Sequence, residues 1–241
     1  MADNRMTSFP GGGLAVVIGA SGGIGAALVR RLEGDPGFAR VLGLSRATGL
    51  DLTQQDSIAR AAAQTTDLAA SLGLPLRLVI VATGFLHGSG EAPEKSLRQL
   101  DPAHMAKSFA LNAIGPALLM KHFLPLLPRQ GKAVFAALSA KVGSIGDNRL
   151  GGWHSYRASK AALNQLVHTA AIELALRHPQ AVCVALHPGT VETGLSAPFA
   201  KSGLDVRRPD TAAGELLAVM DGLTPAESGG FFDCRGERLP W

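Results

Sequence analysis

The stretch LAVVIGASGGIG, residues 14–25, decides the fold of this chain. Its first five residues are apolar and mostly β-branched, which is typical of a buried strand. A glycine-rich segment, residues 19–25, follows without a spacer, and helical periodicity begins at Ala26. Such glycines let the backbone approach a pyrophosphate, and the N-terminus of the helix offers free N–H groups to the anion. The stretch therefore predicts a dinucleotide-binding β-α-β unit.

Short apolar runs and longer stretches of helical periodicity alternate along the rest of the chain. Strands are predicted at 14–18, 41–44, 76–82, 133–138, 181–186 and 230–232, and helices at 26–32, 57–72, from 102 toward 127, 156–177 and 211–220. Nearly all-apolar strands that alternate with helices indicate a parallel sheet covered on both faces. We predict an α/β fold, a single-domain, doubly wound, Rossmann-like sheet over residues 1–241, with residues 1–13 as a flexible N-terminal lead.

Composition excludes several classes of protein. With 241 residues, of which 46% are hydrophobic, the chain fills a sizeable core and is not a disordered tail. The formal charge is only +4, and the basic pairs 30–31 and 207–208 lack interleaved aromatic residues, so we expect no nucleic-acid partner. No signal peptide or membrane span is evident, and we expect a cytoplasmic protein without a membrane partner.

Metal binding and disulfide formation are not indicated. Cys183 and Cys234 lie far apart, and the seven histidines form no H-E-x-x-H or similar ligand spacing. The glycine-rich segment also contains G-x-S-x-G at 19–23, the nucleophile elbow of esterases. Only 18 residues precede Gly19, too few for the strand and loop that supply an oxyanion hole. Nucleotide binding is therefore favoured over serine hydrolysis.

A second motif is Tyr156-Arg157-Ala158-Ser159-Lys160. Tyr156 and Lys160 share one face of a helix, so the ammonium can lie near the phenol, favour the phenolate and lower a pKa that starts near 10. A phenol tuned in this way is a usable acid at neutral pH. The alternative is an ordinary pair on a helix surface, but Tyr156 is the only tyrosine in the chain and follows a glycine-rich loop.

The motifs Gly19-x-x-x-Gly23-x-Gly25 and Tyr156-x-x-x-Lys160 together resemble the short-chain dehydrogenase/reductase family, and the resemblance covers essentially the whole chain. Three further features match the family pattern in the order that the family has them: Asn112 in the middle helix, Ser139 at the end of the following strand, and Pro188-Gly189 after the next strand. Segments 143–164 and 221–241 look like the subgroup that contains C-factor-like proteins and sniffer-type carbonyl reductases.

This resemblance implies an oxidoreductase that transfers hydride between a nicotinamide and a small carbonyl or alcohol substrate. It implies that Tyr156 exchanges a proton with the substrate oxygen. Lys160 would lower the pKa of Tyr156 and hold the nicotinamide ribose. Ser139 would hydrogen-bond the carbonyl, and Asn112 would anchor a water in the proton relay. The implied cofactor-binding residues are Gly19, Ser21, Gly22, Gly23, Ile24, Gly25, Ser45, Arg46, Asp51, Leu52, Ala82, Thr83, Gly84, Tyr156, Lys160, Pro188, Gly189, Val191 and Thr193.

The chain departs from the family pattern in its serines. Many relatives have two consecutive serines, and the second, usually the catalytic one, aligns with Ala140. Ser139 is therefore the predicted catalytic serine, with Ser144 as the fallback. The segment 190–208 resembles the family's substrate lid.

Cofactor choice depends on the residues after the second strand. A carboxylate there accepts a hydrogen bond from a free ribose 2′-OH, whereas a basic residue meets a 2′-phosphate. No carboxylate follows Ser45-Arg46 until Asp51, so NADP(H) is favoured over NAD(H). A homodimer or homotetramer is compatible with the resemblance. The competing function is a nucleotide-binding signalling or scaffold protein of the C-factor type.

Overall fold

The computed structural model describes residues 5–88, 91–199 and 206–241. Its strands are β1 (Gly13–Ile18), β2 (Phe38–Leu44), β3 (Leu76–Val81), β4 (Ala133–Leu138), β5 (Ala181–His187), β6 (Thr190–Val191), β7 (Val206–Arg207) and β8 (Phe231–Asp233). Its helices are α1 (Gly23–Glu33), α2 (Gln55–Leu72), α3 (Pro102–Phe109), α4 (Gly115–Phe123), α5 (His154–Arg177) and α6 (Pro209–Gly222). The predicted β-α alternation is confirmed.

The main sheet is parallel throughout and has the strand order β2-β1-β3-β4-β5-β8. The chain winds outward from β1 in one direction to β2 and in the other through β3, so the strand order reverses between β1 and β3. In doubly wound sheets, ligands bind at the carboxyl ends of the strands beside such a reversal. The predicted Rossmann-like fold is confirmed, and the reversal places the glycine-rich segment at that edge.

Alternating side chains of the central strands build two cores. Leu14, Val16 and Ile18 of β1 belong to one core, with α2, α4 and α5, whereas Ala15 and Val17 belong to the other, with α1 and α6. All six residues of β1 are buried. Burial of both strand faces explains why the sequence reads as continuous apolar runs rather than as alternation.

The middle helix begins as its sequence predicts. Asp101 caps α3 by accepting a hydrogen bond from the backbone N–H of His104 at 2.7 Å, and Pro102 takes the first helical position. A π-helical segment, Ala110–Ile114, joins α3 to α4. The stretch Pro102–Leu126 is long and apolar enough to span a membrane by length and composition alone, but Leu119 and Phe123 are fully buried against the sheet. It is a core helix of this fold.

The prediction of a flexible lead over residues 1–13 is wrong for the residues that the structure describes. Met6 and Phe9 are buried in the core under α1 and α6, and the Met6 N–H donates to Asp35 Oδ2 at 2.8 Å. Ser8 hydrogen-bonds Asp221 through both its N–H and its hydroxyl group. The two apolar side chains and these hydrogen bonds together hold the described part of the segment against the fold. Residues 1–4 lie outside the described residues.

The last residue of the chain packs on the edge strand. The indole ring of Trp241 stacks on Phe231 of β8, with centroids 5.9 Å apart and an interplanar angle of 17°. Its carbonyl accepts a hydrogen bond from the N–H of Gly146 at 2.8 Å. This contact connects β8 to the loop that follows β4.

Candidate active site

The glycine-rich segment turns sharply between β1 and α1. Gly19 has φ +91°, and a Cβ there would lie 2.8 Å from the carbonyl oxygen of Ala82. A Cβ on Gly25 would lie 2.1 Å from the carbonyl oxygen of Gly19, so the helix passes directly over the turn. Helix α1 has glycine as its N-cap, without a side-chain hydrogen bond to the cap. Exposed Ser21, Gly22 and Gly23 border this helix end, which leaves a backbone cradle suited to a pyrophosphate.

The residues after β3 complete the cradle. Ala82 donates its N–H to the carbonyl of Ile18 at 2.7 Å, and Thr83 packs against Gly19. The buried Thr83 hydroxyl has no hydrogen-bond partner. A Cβ on Gly84 would meet Asn112 Oδ1 and Lys160 Nζ, each at 3.9 Å. An orphaned hydroxyl beside a bare backbone turn fits a bound dinucleotide, which would supply the missing partner.

The predicted adenosine-side residues lie at the carboxyl end of β2. Ser45 is buried and caps a 3₁₀ turn, Arg46–Thr48, whereas the Arg46 side chain is exposed. The Asp51 carboxylate accepts from the N–H and hydroxyl of Thr53, and these bonds, with the nearby Arg46 charge, lower the pKa of Asp51. Leu52 is buried against Gly115. The structure therefore keeps Arg46 available to solvent at the expected end of the strand.

A cavity of about 600 Å³ opens at the carboxyl ends of β4 and β5. It is lined by several predicted site residues at once: Ile24, Ser139, Tyr156, Pro188, Gly189, Val191 and Thr193. Thr193 also packs against the glycine-rich turn, since a Cβ on Gly23 would lie 3.0 Å from its Cγ2. The described part of the lid segment therefore borders both the turn and the cavity; residues 200–205 of the predicted lid lie outside the described residues.

Tyr156 and Lys160 lie close together but not as the sequence analysis expected. The Lys160 Nζ atom is 5.9 Å from the centre of the Tyr156 ring and donates to the carbonyl of Leu138 at 2.8 Å. Burial raises the pKa of Tyr156 to about 12 and lowers the pKa of Lys160 to about 7. The expected lowering of the phenol pKa is therefore wrong for this structure, because desolvation disfavours both charged forms. The phenol is protonated at neutral pH.

The two candidate serines occupy different places. Ser139 lines the large cavity with Tyr156, and its hydroxyl donates to Asn164 Oδ1 at 2.6 Å. Ser144 lines a second cavity of about 450 Å³, and its hydroxyl donates to the Trp241 carbonyl at 3.4 Å. Only Ser139 of the two shares the large cavity with Tyr156. Asn164 was not singled out from the sequence, because nothing local links it to a serine 25 residues earlier.

Asn112 lies in the π-helical segment and is fully buried. Its Oδ1 accepts from the N–H of Phe85 at 2.7 Å, while its Nδ2 donates to the Phe85 carbonyl at 2.7 Å and to the Ser159 hydroxyl at 3.0 Å. The side chain therefore connects the loop after β3 to α5. A Cβ on Gly84 would lie 3.9 Å from both Asn112 Oδ1 and Lys160 Nζ, so the two side chains flank this glycine. Because Lys160 also lies beside the Tyr156 ring, Asn112, Lys160 and Tyr156 are close to one another.

The start of α5 depends on a residue that sequence reasoning missed. Glu94 is buried, and its carboxylate accepts hydrogen bonds from the N–H of Ser155 at 3.2 Å and from the Ser155 hydroxyl. Its carbonyl accepts from the N–H of Trp153 at 2.5 Å. Burial alone would raise the pKa of Glu94, but these hydrogen bonds and nearby His104 outweigh it and the pKa is lowered. Glu94 thus caps α5 through Ser155, the residue that precedes Tyr156.

Trp153 is the one described non-glycine residue with positive φ, at 53°. Its indole contacts the Tyr156 ring edge-on at 6.2 Å and the Phe199 ring at 5.3 Å. Phe199 in turn packs against His87 at 5.4 Å, and His87 Nε2 contacts the carbonyls of Gly194 and Leu195. These aromatic contacts connect Trp153 and His87 to the segment 190–199, several residues of which line the cavity.

Within residues 5–88, 91–199 and 206–241, no group of three or more histidine, cysteine, aspartate or glutamate side chains is placed to hold a metal ion. The two cysteines are free and buried. Tyr156, Lys160, Ser139 and Asn112 bring a phenol, an amine, a hydroxyl and an amide to the region beside the glycine-rich turn.

Comparison with known proteins agrees with this geometry. A family model described as short chain dehydrogenase matches residues 13–202. The C-signal of Myxococcus xanthus is 39% identical over 146 residues, 61% of this chain and 84% of that protein. The carbonyl reductase Sniffer of D. melanogaster has a TM-score of 0.80 at 22% identity, covering 96% of this chain and 100% of its own. A carbonyl reductase from chicken fatty liver, solved with NADPH, has a TM-score of 0.80 at 24% identity, with coverages of 99% and 98%.

The two solved structures, at this identity, show the shared fold. The C-signal and Sniffer matches confirm the predicted resemblance to proteins of the C-factor and sniffer type. Because the family model covers most of the chain, including the glycine-rich turn and the Tyr156–Lys160 motif, the chain belongs to the short-chain dehydrogenase/reductase family of oxidoreductases.

Proposed function

We propose that the chain is an NADP(H)-dependent oxidoreductase that interconverts a carbonyl compound and an alcohol through Tyr156, Lys160 and Ser139. The observation that carries the proposal is the shared cavity. Tyr156 and Ser139 line one space with Ile24 and Thr193, which border the glycine-rich cradle. A substrate oxygen between the two hydroxyl groups would therefore lie next to a bound nicotinamide.

The nicotinamide, when bound, supplies the hydride for the carbonyl carbon. Reduction leaves negative charge on the substrate oxygen, and this charge needs a hydrogen-bond donor and a proton. Tyr156 is a phenol at neutral pH, since its pKa, raised by burial to about 12, lies well above 7, and it can therefore donate that proton. Ser139 supplies the second hydrogen bond once its hydroxyl turns from Asn164 toward the cavity.

Lys160 and Asn112 support the proton transfer. The pKa of Lys160, lowered to about 7 by burial, leaves its amine able both to hold and to release a proton near neutrality. Asn112 lies on the other side of Gly84 from the Lys160 amine. We assign to Asn112 the anchoring of a water molecule in the proton relay. Lys160 would also hold the nicotinamide ribose, as the family resemblance implies.

NADP(H) is preferred over NAD(H) in this proposal. Exposed Arg46 follows β2, where an adenosine 2′-phosphate would lie, and its guanidinium makes no hydrogen bond within the described part of the chain. The nearest following carboxylate, Asp51, is engaged by Thr53. The NADPH of the chicken carbonyl reductase supports the same choice.

The test is Tyr156→Phe, assayed on aldehydes, ketones and quinones that the wild type reduces with NADPH. The substitution keeps the ring and removes one hydroxyl, so turnover should fall by on the order of 10²-fold or more. NADPH affinity and melting temperature should stay near the wild-type values. Thr169→Val, which removes a hydroxyl from the exposed face of α5, is the matched control. Wild-type turnover in Tyr156→Phe would refute the mechanism.

A second candidate function is favoured by the Myxococcus relative. Its 39% identity to a protein named C-signal supports a signalling or scaffold protein that binds nucleotide with little turnover. NADPH binding without turnover across the same panel of substrates would favour this candidate. Under either function we propose a cytoplasmic protein that assembles as a homodimer or homotetramer.

A further inference from the structure

We propose that the substrate is a carbonyl or alcohol compound with an apolar body and an anionic group, and that Arg149 and Arg157 recognise the anion. The inference rests on the proposed function and names the substrate class of the same site. It is carried by the charges and the apolar side chains that line the large cavity.

The residues that line the cavity come from two parts of the chain. Ile24 and Thr193 border the glycine-rich turn, and with the segment 188–191 they are the lining residues that the proposed function gives to the nicotinamide. A second group, 140–142 and 147–150, comes from the loop after β4. We assign what this second group recognises to the substrate.

The lining of the cavity carries a net positive charge. The charged residues among the described lining are Lys141, Asp147, Arg149 and Arg157. Asp147 lies 3.7 Å from Lys141 and its charge also acts on Arg157, so it offsets one of the three cations. Half-buried His187 adds no charge at neutral pH, because desolvation lowers its pKa to about 4. The excess of positive charge therefore remains on the side of the loop after β4 and the start of α5.

Neither the Arg149 nor the Arg157 guanidinium group forms a close ion pair in the described part of the chain, although the Asp147 charge acts on Arg157. Arg157 donates from Nε to the Gly152 carbonyl at 2.9 Å and from Nη1 to the Val142 carbonyl at 3.2 Å, which fixes its plane. Arg149 is exposed and donates from Nη1 to the Asn148 carbonyl at 3.1 Å. An arginine with free donors at the end of a cavity is suited to a carboxylate, sulfonate or phosphate group.

The nucleotide does not account for these two arginines. Its pyrophosphate would lie at the N-terminus of α1, and its 2′-phosphate would lie at Arg46, after β2. Both positions are toward the β1–β2 side of the sheet, whereas the loop with Arg149 follows β4. The cofactor's anionic groups are thus assigned elsewhere.

Apolar surface accompanies the arginines. Leu150, next to Arg149, lines the cavity with its side chain 92% exposed. Trp153 and Phe199 supply aromatic walls in edge-on contact with each other. A substrate with an aromatic or aliphatic body would cover Leu150 and gain the free energy of burying apolar surface. Its anionic end would meet Arg149 at the mouth.

The experiment compares 3-(4-formylphenyl)propanoate with its methyl ester, using NADPH. The two aldehydes share the reacting group and ring and differ in the charge. We expect kcat/KM for the acid to exceed that for the ester by roughly two- to fivefold at low salt, with the difference shrinking at high salt. Arg149→Gln should remove most of this preference by lowering kcat/KM for the acid toward that for the ester. Arg129→Gln changes an exposed arginine that precedes β4, at the amino ends of the strands, and should match wild type.

A binding measurement separates this inference from the proposed function. 3-Phenylpropanoate and its methyl ester are titrated calorimetrically into protein saturated with NADPH. Tighter binding of the carboxylate that Arg149→Gln abolishes supports the anion site even if no aldehyde is reduced, in which case the proposed function alone fails. Equal binding of acid and ester, or a preference that survives Arg149→Gln, overturns the inference whether or not turnover is seen.

Discussion

Replacing Glu94 by alanine removes the carboxylate that caps α5. The Ser155 N–H and hydroxyl lose their acceptors, and because Glu94 and Ser155 are 3% and 0% exposed, water does not readily replace them. Loss of a helix cap costs about 1 kcal/mol, and an orphaned buried donor about 1–3 kcal/mol. We expect the free energy of unfolding to fall by about 3 kcal/mol, and the melting temperature by roughly 6–12 °C.

Catalysis should suffer as well, because Tyr156 is the residue after Ser155. A displacement of the phenol by about 1 Å is enough to lower turnover by on the order of 10²-fold. Glu94→Gln keeps one acceptor oxygen for Ser155 and should fall between alanine and wild type. The lowered pKa of Glu94 means that its contribution to stability is present above its unfolded value and is lost as the pH falls through its folded value. The stability difference between wild type and Glu94→Gln should therefore narrow in acid.

The assay combines thermal unfolding with steady-state kinetics at saturating NADPH. Glu173→Ala removes an exposed carboxylate from the same helix and should match wild type in both measurements. A Glu94→Ala protein that melts and turns over like Glu173→Ala would show that the cap neither stabilises α5 nor positions Tyr156.

Two further predictions concern the nucleotide-binding groups. Burial lowers the pKa of Lys160 to about 7, below its unfolded value near 10.5, so the buried amine costs stability in full below pH 7 and progressively less as the pH rises toward 10.5. Lys160→Met should therefore raise the melting temperature most at pH 6 and least near pH 10, while weakening NADPH binding and turnover; a stability difference independent of pH would contradict this. Arg46→Asp should weaken NADPH binding by on the order of tenfold or more and spare NADH. A wild type that binds NADH as tightly as NADPH would rule out the assigned phosphate contact.

Local sequence patterns correctly predicted the secondary structure and the fold class of this protein. The strand, glycine-rich turn and helix around Gly19 depend on residues adjacent in sequence, and the structure places them as expected. The same holds for the cap at Asp101, which is formed within one turn of helix. The β-α alternation then limits the sheet to few topologies, and the doubly wound parallel sheet predicted from it is the one that the structure has.

Interactions between distant residues could not be predicted in this way. Glu94 and Ser155 are 61 positions apart in the sequence, and no motif around either residue predicts the contact. The spacing of Tyr156 and Lys160 indicates a shared helix face but not the depth of burial, and burial decides the pKa of both groups. Met6 was assigned to a flexible lead because so short a segment has no periodicity that marks it as part of the core.

The positions of the two tryptophans allow nucleotide binding to be followed by the protein's intrinsic fluorescence, without an added label. Trp241 lies on the outer strand, stacked on Phe231, whereas Trp153 lies at the cavity between Tyr156 and Phe199. Trp241→Phe leaves a single indole emitter, whose fluorescence overlaps the absorption band of a reduced nicotinamide. Quenching of that emission by energy transfer would then report nucleotide arrival, and a change in its spectral maximum would report whether solvent still reaches the ring beneath the lid.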